Sequence, residues 1–533
     1  MRPVWLLLGT GFGFERARAH FIVGCTPDHL DVFCTRKGQL LCVYATSKWT
    51  SVTATNGATN RGVKCNPATL GGTAKLSNMY RIYRWWWFAF VVLYPLIFVP
   101  SERSFWGLNY TYHIVITAIF VLGALLFEWF LHPHLRLSDA KHLPRLLWQH
   151  KPVLLALLFG IWGVIAAFFT PSPAVALMGS LARNGDGALA SFLFSLVFVL
   201  VYLQIMRERD LLVRIAIGVA ISGVLLSLGA IAEIALGRGL IYALQVGDLP
   251  IVSFPQKGHL AGYLAATFGV AIAIWFRKPS WLFLGTVLLI AFSLGLTYNR
   301  AAFLGMALVL LIGVWRAPRQ GLVASALVLI AVFAAIQWTQ FRGVGGQKEL
   351  ASTSSMEARM LFWKAAVGGI LERPVLGWGG GNFDYYWPLF LSAEEQARFL
   401  RLEAGAYKMI AYLSAPGTIP VWIVENEKGQ RYTQSIVLWK SHSQLLEVAL
   451  QKGLVGLVLY MALLILSIRA FLQLTPGASG LWAYHVFLLL WFIPFFSEGV
   501  VWVLFALAAG EATQTYRSKH PSVPVVKDYR TSI

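Results

Sequence analysis

Three residues with chemical potential, Arg300, Arg359 and His442, surround the only long loop of a very apolar chain. Basic residues in membrane proteins normally mark the cytoplasmic ends of the spans. These residues fall on the side where Lys and Arg are otherwise scarce, so they need another explanation. An anionic substrate supplies one, because arginine binds phosphate oxygens bidentately and histidine exchanges a proton near neutral pH.

Each of these residues also has an ordinary structural explanation. Arg300 lies at a span boundary, where an arginine can simply anchor a helix end. Arg359 can be an exposed loop arginine, or it can pack on Trp363 one helical turn later. His442 can cap a helix or lie in a core. Its place at the start of a predicted helix, eleven residues ahead of Gly453, favours a functional role.

The composition predicts a polytopic membrane protein. Apolar residues make up 57% of the 533 positions and charged residues only 13%, values that differ from those of large soluble proteins. A net charge of +20 would suggest nucleic-acid binding in a soluble protein. Here most basic residues fall in short loops, where topology explains them. We therefore expect a lipid bilayer as a partner, and no nucleic acid.

The fold class predicted from hydropathy is an all-α polytopic membrane protein with about 12 transmembrane helices. The apolar runs cover residues 85–100, 113–131, 153–170, 188–206, 215–236, 258–276, 280–298, 301–315, 321–338, 453–471, 480–496 and 499–510. With the N-terminus inside, 18 basic residues fall on the inner side and five in the short outer loops. This asymmetry predicts that both termini are cytoplasmic.

The predicted organisation has five parts. All four cysteines precede position 66, and the segment that contains them lacks helical periodicity and a spanning run. We interpret it as a disordered or non-native extension, with Met79 as the functional start. The parts are the extension (1–78), membrane helices 1–9 (79–338), the periplasmic loop region (339–452), membrane helices 10–12 (453–510) and a cytoplasmic tail (511–533).

The long loop between spans 9 and 10 should be mostly helical, since it is too long for a simple linker. The segment ARMLFWKAAVGGILE predicts a helix that ends before Pro374. A second helix is expected around residues 394–403, and His442 should open a third that runs into the tenth span. The run VWIVENEKGQRYTQSIVLW predicts a small β-hairpin that turns near residues 427–429. Glycines between Gly377 and Gly381 indicate tight turns and close backbone approach.

Three motifs around this loop resemble the O-antigen ligase/polymerase family. They are NRAAFLG, ARMLFWKAAVGGILERPVLGWGGGNF and HSQLLEVALQKGLVG, in that order. The upstream segments PSPAVALMGSLARNGDG and VSFPQKGHLAGYL also fit, although residues 256–259 depart from the usual Pro-Asn of the family. The resemblance covers roughly residues 150–500.

The resemblance implies a glycosyltransferase that moves a glycan from a polyprenyl-diphosphate carrier to an acceptor hydroxyl. The reaction would take place at the periplasmic face of the bacterial inner membrane and would invert the anomeric carbon. Arg300 and Arg359 would clamp the diphosphate, His442 would act as the base, and Arg183 is a secondary substrate-binding candidate. Lipid A-core, a growing glycan and a protein remain open as acceptors, corresponding to a ligase, a repeat-unit polymerase and a protein O-oligosaccharyltransferase.

We expect neither a cofactor nor a metal. The chain contains no Walker A motif, no HExxH and no paired Asp-x-Asp, which argues against nucleotide sugars and metal-dependent transfer. Glu357 and Glu447 nevertheless leave a metal site open. A different class, a lipid-linked glycan transporter or flippase, would place ionisable residues near mid-membrane. Few charges lie in the predicted spans apart from Glu128 and Glu233, which argues against a transporter. A protein with a purely structural role would not need Arg300, Arg359 and His442 gathered around one loop.

The charge asymmetry makes a direct prediction about topology. Reporter fusions after Gly237 and Gly429 should give outer-side signals, whereas fusions after Arg319 and at the C-terminus should give inner-side signals, because the inner loops hold the excess of Lys and Arg. Paired phosphatase and fluorescent-protein fusions measure this. An inner location for Gly429 would separate His442 from the proposed chemistry.

Overall fold

The computed structural model describes the backbone of residues 30–34, 40–44, 67–98, 105–131, 147–148, 150–180, 185–241, 250–344, 354–404, 408–414, 421–434 and 440–519. These residues belong to two compact units. The first unit, residues 1–81 and 521–533, contains the antiparallel hairpin β1–β2 (Leu30–Cys34 and Leu40–Tyr44) and the beginning of a helix. The second unit, residues 82–520, contains all the other described elements.

A helix lies along most of each of the first nine predicted spans. The helices are α1 (Pro67–Leu93), α2 (Phe105–Leu131), α3 (Lys151–Ala167), the short α4 (Pro173–Met178), α5 (Ala188–Arg207), α6 (Arg209–Leu236), α7 (Lys257–Arg277), α8 (Trp281–Leu296), α9 (Arg300–Arg316) and α10 (Pro318–Phe341). Helix α1 begins well before the first predicted span, so residues 67–78 are helical where no helix was expected. The predicted start at Met79 falls inside α1 and stays a prediction.

Helices also lie along the last three predicted spans, though not over their full length. They are α14 (Gln444–Leu466), α16 (Pro476–Leu488) and α17 (Phe495–Lys519), with a short α15 (Ile468–Leu472) after the first. Within the described residues, seven helical stretches are long and apolar enough to cross a membrane. They are Thr111–Leu131, Ala188–Arg207, Arg209–Leu236, Lys257–Arg277, Pro318–Phe341, Gln444–Leu472 and Phe495–Tyr516. The exact number of twelve spans therefore remains a prediction.

The region between α10 and α14 has its own apolar core. Its elements are α11 (Ser354–Glu372), α12 (Phe383–Tyr386), α13 (Ala393–Ala404), β3 (Lys408–Leu413), β4 (Val421–Glu425) and β5 (Arg431–Gln434). Both predicted loop helices are confirmed, and α11 ends at Glu372, two residues before Pro374 as proline requires. Phe362, Trp387, Phe399 and Trp422 pack together in the core.

The predicted β-hairpin is confirmed as β4 and β5, with Trp422 opposite Gln434 and Glu425 opposite Arg431. The Asn426 side chain accepts bonds from the backbone N–H groups of Lys428 and Gln430, each 3.0 Å long, which stabilises the turn. The sequence did not predict β3, which adds a third antiparallel strand and places Tyr412 opposite Trp422.

Helix α14 is kinked at Gly453, whose φ of 66° and ψ of −175° are not helical. The kink frees carbonyls of the preceding turn. Trp378 N donates to Leu450 O at 2.6 Å and Gly379 N donates to Gln451 O at 3.0 Å, while Leu454 N donates to Pro374 O at 2.7 Å. The sequence predicted a single helix from His442 into the tenth span. The structure has two helical segments joined by a kink, and the turn at residues 374–379 satisfies the backbone hydrogen bonds that the kink leaves open.

The eleventh predicted span, 480–496, is helical only in part. Helix α16 ends at Leu488, and residues 489–494 form non-helical backbone before α17 begins. Pro494 lacks the N–H that a continuous helix would need. Irregular backbone inside a membrane protein is tolerated where other protein groups satisfy it, and Ile493 N donates to Gln444 Oε1 at 2.9 Å. The break brings Trp491 and Phe492 to the end of the bundle.

Close helix packing shows which part of α7 lies beside this break. A Cβ at Gly262 would lie 2.3 Å from the Phe487 ring, and a Cβ at Gly258 would lie 2.4 Å from Trp491. Small residues let helices approach closely in membrane proteins. Because higher residue numbers on α16 face lower numbers on α7, the two helices are antiparallel. The N-terminal end of α7 therefore lies beside Trp491.

The expectation that the spans hold few charges apart from Glu128 and Glu233 is wrong, because the helices extend beyond the apolar runs. Lys452 and Glu498 both lie within candidate spans. Glu233 has a structural role, since it accepts hydrogen bonds from the N–H groups of Leu240, Ile251 and Val252. Glu128 accepts hydrogen bonds from Tyr83 and Arg207.

The kink generates a stability prediction. Gly453→Ala would place a Cβ 1.9 Å from Val375 O at a positive φ, so the variant should be destabilised by about 2 kcal/mol or more. Thermal unfolding of the detergent-solubilised protein measures this. The matched control is Gly285→Ala, where nothing lies within 4 Å and the helical backbone suits alanine. Equal melting temperatures for the two variants would contradict the assigned kink.

Candidate functional site

The turn that carries His442 has unusual backbone geometry. Lys440 and His442 have φ values of 71° and 52°, in the left-handed region that residues with a side chain seldom adopt. Helix α14 begins two residues later, at Gln444. Glu447 Oε2 accepts from Ser441 N at 2.8 Å, and Ser441 Oγ donates to Ser443 O at 3.0 Å. Hydrogen bonds from the first turns of α14 thus fix the approach to the helix.

The His442 ring is held by aromatic side chains from two other segments. It stacks parallel to Phe362 of α11, with centroids 5.4 Å apart and an interplanar angle of 4°. Phe492 meets it edge-on at 5.5 Å, and Trp491 lies at 5.9 Å. Its Nδ1 lies 3.2 Å from Lys440 O. A carbonyl oxygen only accepts, so Nδ1 carries the proton in the neutral ring and Nε2 keeps the lone pair.

Arg359 lies on the other side of this aromatic group. Its guanidinium carbon is 5.0 Å from the centroid of the Trp491 ring, a cation–π contact. The sequence had suggested Trp363 as a packing partner, and the described cation–π contact is with Trp491 instead. Arg359 and His442 are both partly exposed. The structure therefore places both residues around one tryptophan.

The register between α9 and α16 places Arg300 at the same end of the bundle. A Cβ at Gly305 would lie 2.2 Å from Ala483 O, and Arg316 Nε donates to Leu472 O at 2.5 Å. Helices α9 and α16 are therefore antiparallel. Arg300 precedes Gly305 by five residues, about 7.5 Å along the axis, which places it near the level of residue 488. Its side chain is exposed.

Two further residues named from the sequence have different outcomes. Arg183 lies outside the described residues. His259, in the segment that departs from the family pattern, is fully buried and packs at 5.6 Å from Trp491 and 5.2 Å from Phe492. The aromatic group thus has a histidine on two sides, although only His442 is partly exposed.

Electrostatics keep the His442 imidazole neutral. Burial, followed by the positive charge of Arg359, lowers the pKa of His442 to about 4, while the hydrogen bond with Lys440 O acts in the opposite direction. The ordinary pKa of histidine is about 6.5. At neutral pH the ring is therefore unprotonated and able to accept a proton on Nε2.

The glycine turn at residues 377–381 has a structural function. Gly377, Gly379 and Gly381 all have positive φ. A Cβ at Gly377 would lie 2.5 Å from Leu450 O, and one at Gly380 would lie 2.6 Å from Asp186 O. The prediction of tight turns and close backbone approach is confirmed. The turn holds the 185–187 segment on one side and α14 on the other.

Sequence inspection missed a buried group of charged residues behind His442. Asp186, Lys440, Glu447, Lys452 and Glu498 line a cavity of about 30 Å³, enough for one or two water molecules. Lys440 Nζ lies 3.1 Å from the Asp186 carboxylate, and Lys452 Nζ donates to Ser191 Oγ. A lysine two residues before the candidate histidine was the only local signal.

The carboxylates that left a metal site open have protein partners. Glu357 pairs with Arg398, and Glu447 accepts from Ser441 N and from Gln451 Nε2. Throughout the part of the chain that the structure describes, no three His, Cys, Asp or Glu side chains are grouped as metal ligands. The side chains that the structure brings together at Trp491 are an arginine, a histidine and aromatic rings.

The low pKa of His442 gives a testable titration. Carbethoxylation by diethyl pyrocarbonate, which requires the neutral ring, should persist from pH 7 to about 5 and fall by half near pH 4. Arg359→Gln should raise this midpoint, because a nearby positive charge is removed, but should leave it below 6.5, because burial is the larger cause. Mass spectrometry of the His442 peptide measures both.

The matched control for this titration is Arg431→Gln. Arg431 lies in the same region of the chain but is 68% exposed and paired with Glu425, so the midpoint should not move. A wild-type midpoint near 6.5 would show that the site does not depress the pKa of His442.

Comparison with known proteins adds one finding. Residues 284–408 match the family model described as O-antigen ligase. No curated protein and no solved structure matches the chain. The matched region contains Arg300 and Arg359, and His442 follows it in the sequence. The match supports a glycan-transferring, ligase-like function in a multi-pass membrane protein, and it supports the resemblance to the O-antigen ligase family over residues 284–408.

Proposed function

We propose that the protein transfers a glycan from a polyprenyl-diphosphate carrier to an acceptor hydroxyl. The observation that carries this proposal is the placement of Arg359 and of a neutral, partly exposed His442 around Trp491. One group can hold an anionic leaving group and the other can take a proton. Their separation by a single ring brings both functions within reach of one substrate.

The arginines suit the diphosphate. Arginine stays charged beside lipid and presents two parallel N–H donors to phosphate oxygens. As the glycan leaves the carrier, negative charge grows on the departing diphosphate, and a fixed cation stabilises that charge. Arg359 and Arg300 are assigned this role, with Arg183 as a secondary contact.

His442 serves as the general base. The acceptor O–H proton moves to Nε2, the acceptor oxygen bonds to the anomeric carbon, and the bond from that carbon to the diphosphate oxygen breaks. Direct displacement inverts the anomeric configuration. Binding of the anionic donor beside Arg359 offsets the charge that lowers the pKa of His442, so the base becomes stronger when the donor is present.

An open cleft supports an extended glycan substrate. It has a volume of about 520 Å³ and is lined by Pro171, Glu372, Arg373, Trp378, Tyr386, Leu389 and Phe390. The cleft lies at the far end of α11, thirteen residues or about 20 Å from Arg359. A chain of several sugars bridges that distance, and its polar and aromatic lining suits sugar hydroxyls and ring faces.

The proposed location is the bacterial inner membrane, with the termini in the cytoplasm and the site on the periplasmic face. The excess of basic residues in the inner loops supports this orientation. Lipid A-core, a growing glycan and a protein each offer a hydroxyl that can lose its proton to the same base. A purified lipid-linked donor offered with each acceptor in turn identifies which one the enzyme uses.

Substitutions at the three candidate residues should have different effects on donor binding and turnover. His442→Ala should abolish transfer and largely keep donor binding, because the base acts on the acceptor. Arg300→Ala and Arg359→Ala should weaken both donor binding and turnover, with losses of about 2–4 kcal/mol, a factor of roughly a hundred or more. Lysine at either position should rescue only in part, since it lacks the bidentate fork.

Donor binding and single-turnover transfer on the same purified variants test this assignment. Arg431→Ala, an exposed arginine outside the site, should behave as wild type. Wild-type turnover in His442→Ala would end its role as base. Unchanged donor affinity in both arginine variants would end the clamp.

A further inference from the structure

Lys440 is a buried cation with a distant partner. Its side chain is 6% exposed, and its Nζ lies 3.1 Å from the carboxylate of Asp186, which is 254 positions away in the sequence. The same Nζ donates to Ile493 O at 3.3 Å and lies 5.7 Å from the Phe492 ring. Lys440 thus joins the 185–187 segment to the non-helical backbone that follows α16.

The backbone of Lys440 controls the catalytic ring. Its carbonyl accepts from Nδ1 of His442 and so selects the tautomer with the lone pair on Nε2. Lys440 and His442 both adopt the left-handed region, a geometry that persists only when the surroundings hold it in place. Any rotation at Lys440 therefore moves both the carbonyl and the imidazole that it orients.

Asp186 is fixed independently at the other end of the ion pair. A Cβ at Gly380 would lie 2.6 Å from Asp186 O, and one at Gly187 would lie 2.2 Å from Leu177 O. Gly185 N donates to Met178 O at 2.6 Å. Such close backbone contacts leave the aspartate little freedom to follow a displaced lysine. It therefore acts as an anchor.

We propose that Lys440 and Asp186 are positioning residues for His442. The buried ion pair holds the left-handed turn at 440–442 so that Nε2 of His442 is presented beside Arg359 and Trp491. This inference rests on the proposed function, in which His442 is the base. Both side chains of the pair are largely buried, and Lys440 packs beside Ile493 and Phe492.

The alternative is an ion pair that only stabilises the fold. The two possibilities differ in what a variant changes. A positioning pair alters the environment of the His442 ring and lowers kcat while donor KM stays near wild type, because the arginines are unaffected. A misplacement of about 1 Å can reduce the rate by about a hundredfold. A purely structural pair lowers the yield of folded enzyme and leaves the remaining molecules normal.

The test uses the full-length protein with Asp186→Asn, Lys440→Met and the double variant. One readout is the carbethoxylation rate of His442 by diethyl pyrocarbonate, measured by mass spectrometry. The other is kcat and donor KM. We expect both single variants to change the His442 modification rate and to reduce kcat by about tenfold to a hundredfold.

Lys364→Met is the matched control, because Lys364 forms an exposed ion pair with Glu395 and should leave both readouts unchanged. If the single variants fold poorly, Lys440→Arg and Asp186→Glu keep the charges and should restore the wild-type modification rate. An unchanged His442 modification rate in folded Asp186→Asn and Lys440→Met would overturn the proposal. If the proposed function were wrong, His442→Ala would turn over normally, while Asp186→Asn and Lys440→Met would still change the His442 modification rate.

Discussion

The exchange of backbone hydrogen bonds between the glycine turn and the kink in α14 is the interaction on which the site depends. A helix that bends inside an apolar bundle leaves carbonyls that water cannot satisfy. Trp378 N and Gly379 N fill them, and Leu454 N returns a bond to Pro374 O. Only residues without a Cβ fit at Gly377 and Gly453. This junction fixes α11, which carries Arg359 and Phe362, against α14, which follows His442.

The same geometry places the positive charge of Arg359 near His442. His442 is surrounded by aromatic rings and lies near Arg359, and both burial and the cation favour its neutral form. A base with a depressed pKa would be weak in isolation. In the proposed reaction an anionic donor beside Arg359 offsets the smaller of the two causes, the positive charge, while burial continues to lower the pKa of His442. A bound donor therefore makes His442 a somewhat stronger base than it is in the free enzyme.

Ionisable residues within candidate spans bear on the transporter alternative. Lys452 and Glu498 lie near the ends of helical segments, around the cavity behind His442, and Lys440 and Asp186 flank the same cavity. Burial of a charge is costly unless it is paired, and Lys440 has Asp186 as its partner. A carrier would need such groups near the bilayer centre, facing a path for substrate. Their concentration around one small cavity at the ends of helical segments differs from that pattern.

The sequence by itself determined the membrane class, the presence of a helix along most of the apolar runs, the two helices and the hairpin of the long loop, and the three candidate residues. Hydropathy, proline and turn residues encode these features locally. Tertiary structure alone decided the break after Leu488, the meeting of Arg359 and His442 at Trp491, and the pairing of Lys440 with Asp186. Strand β3 and the charges beyond the apolar runs also escaped local patterns. The reason is physical: a helix end, a kink or a buried ion pair is stable only when distant segments supply the missing hydrogen bonds and charges, and sequence spacing does not record which segments pack together.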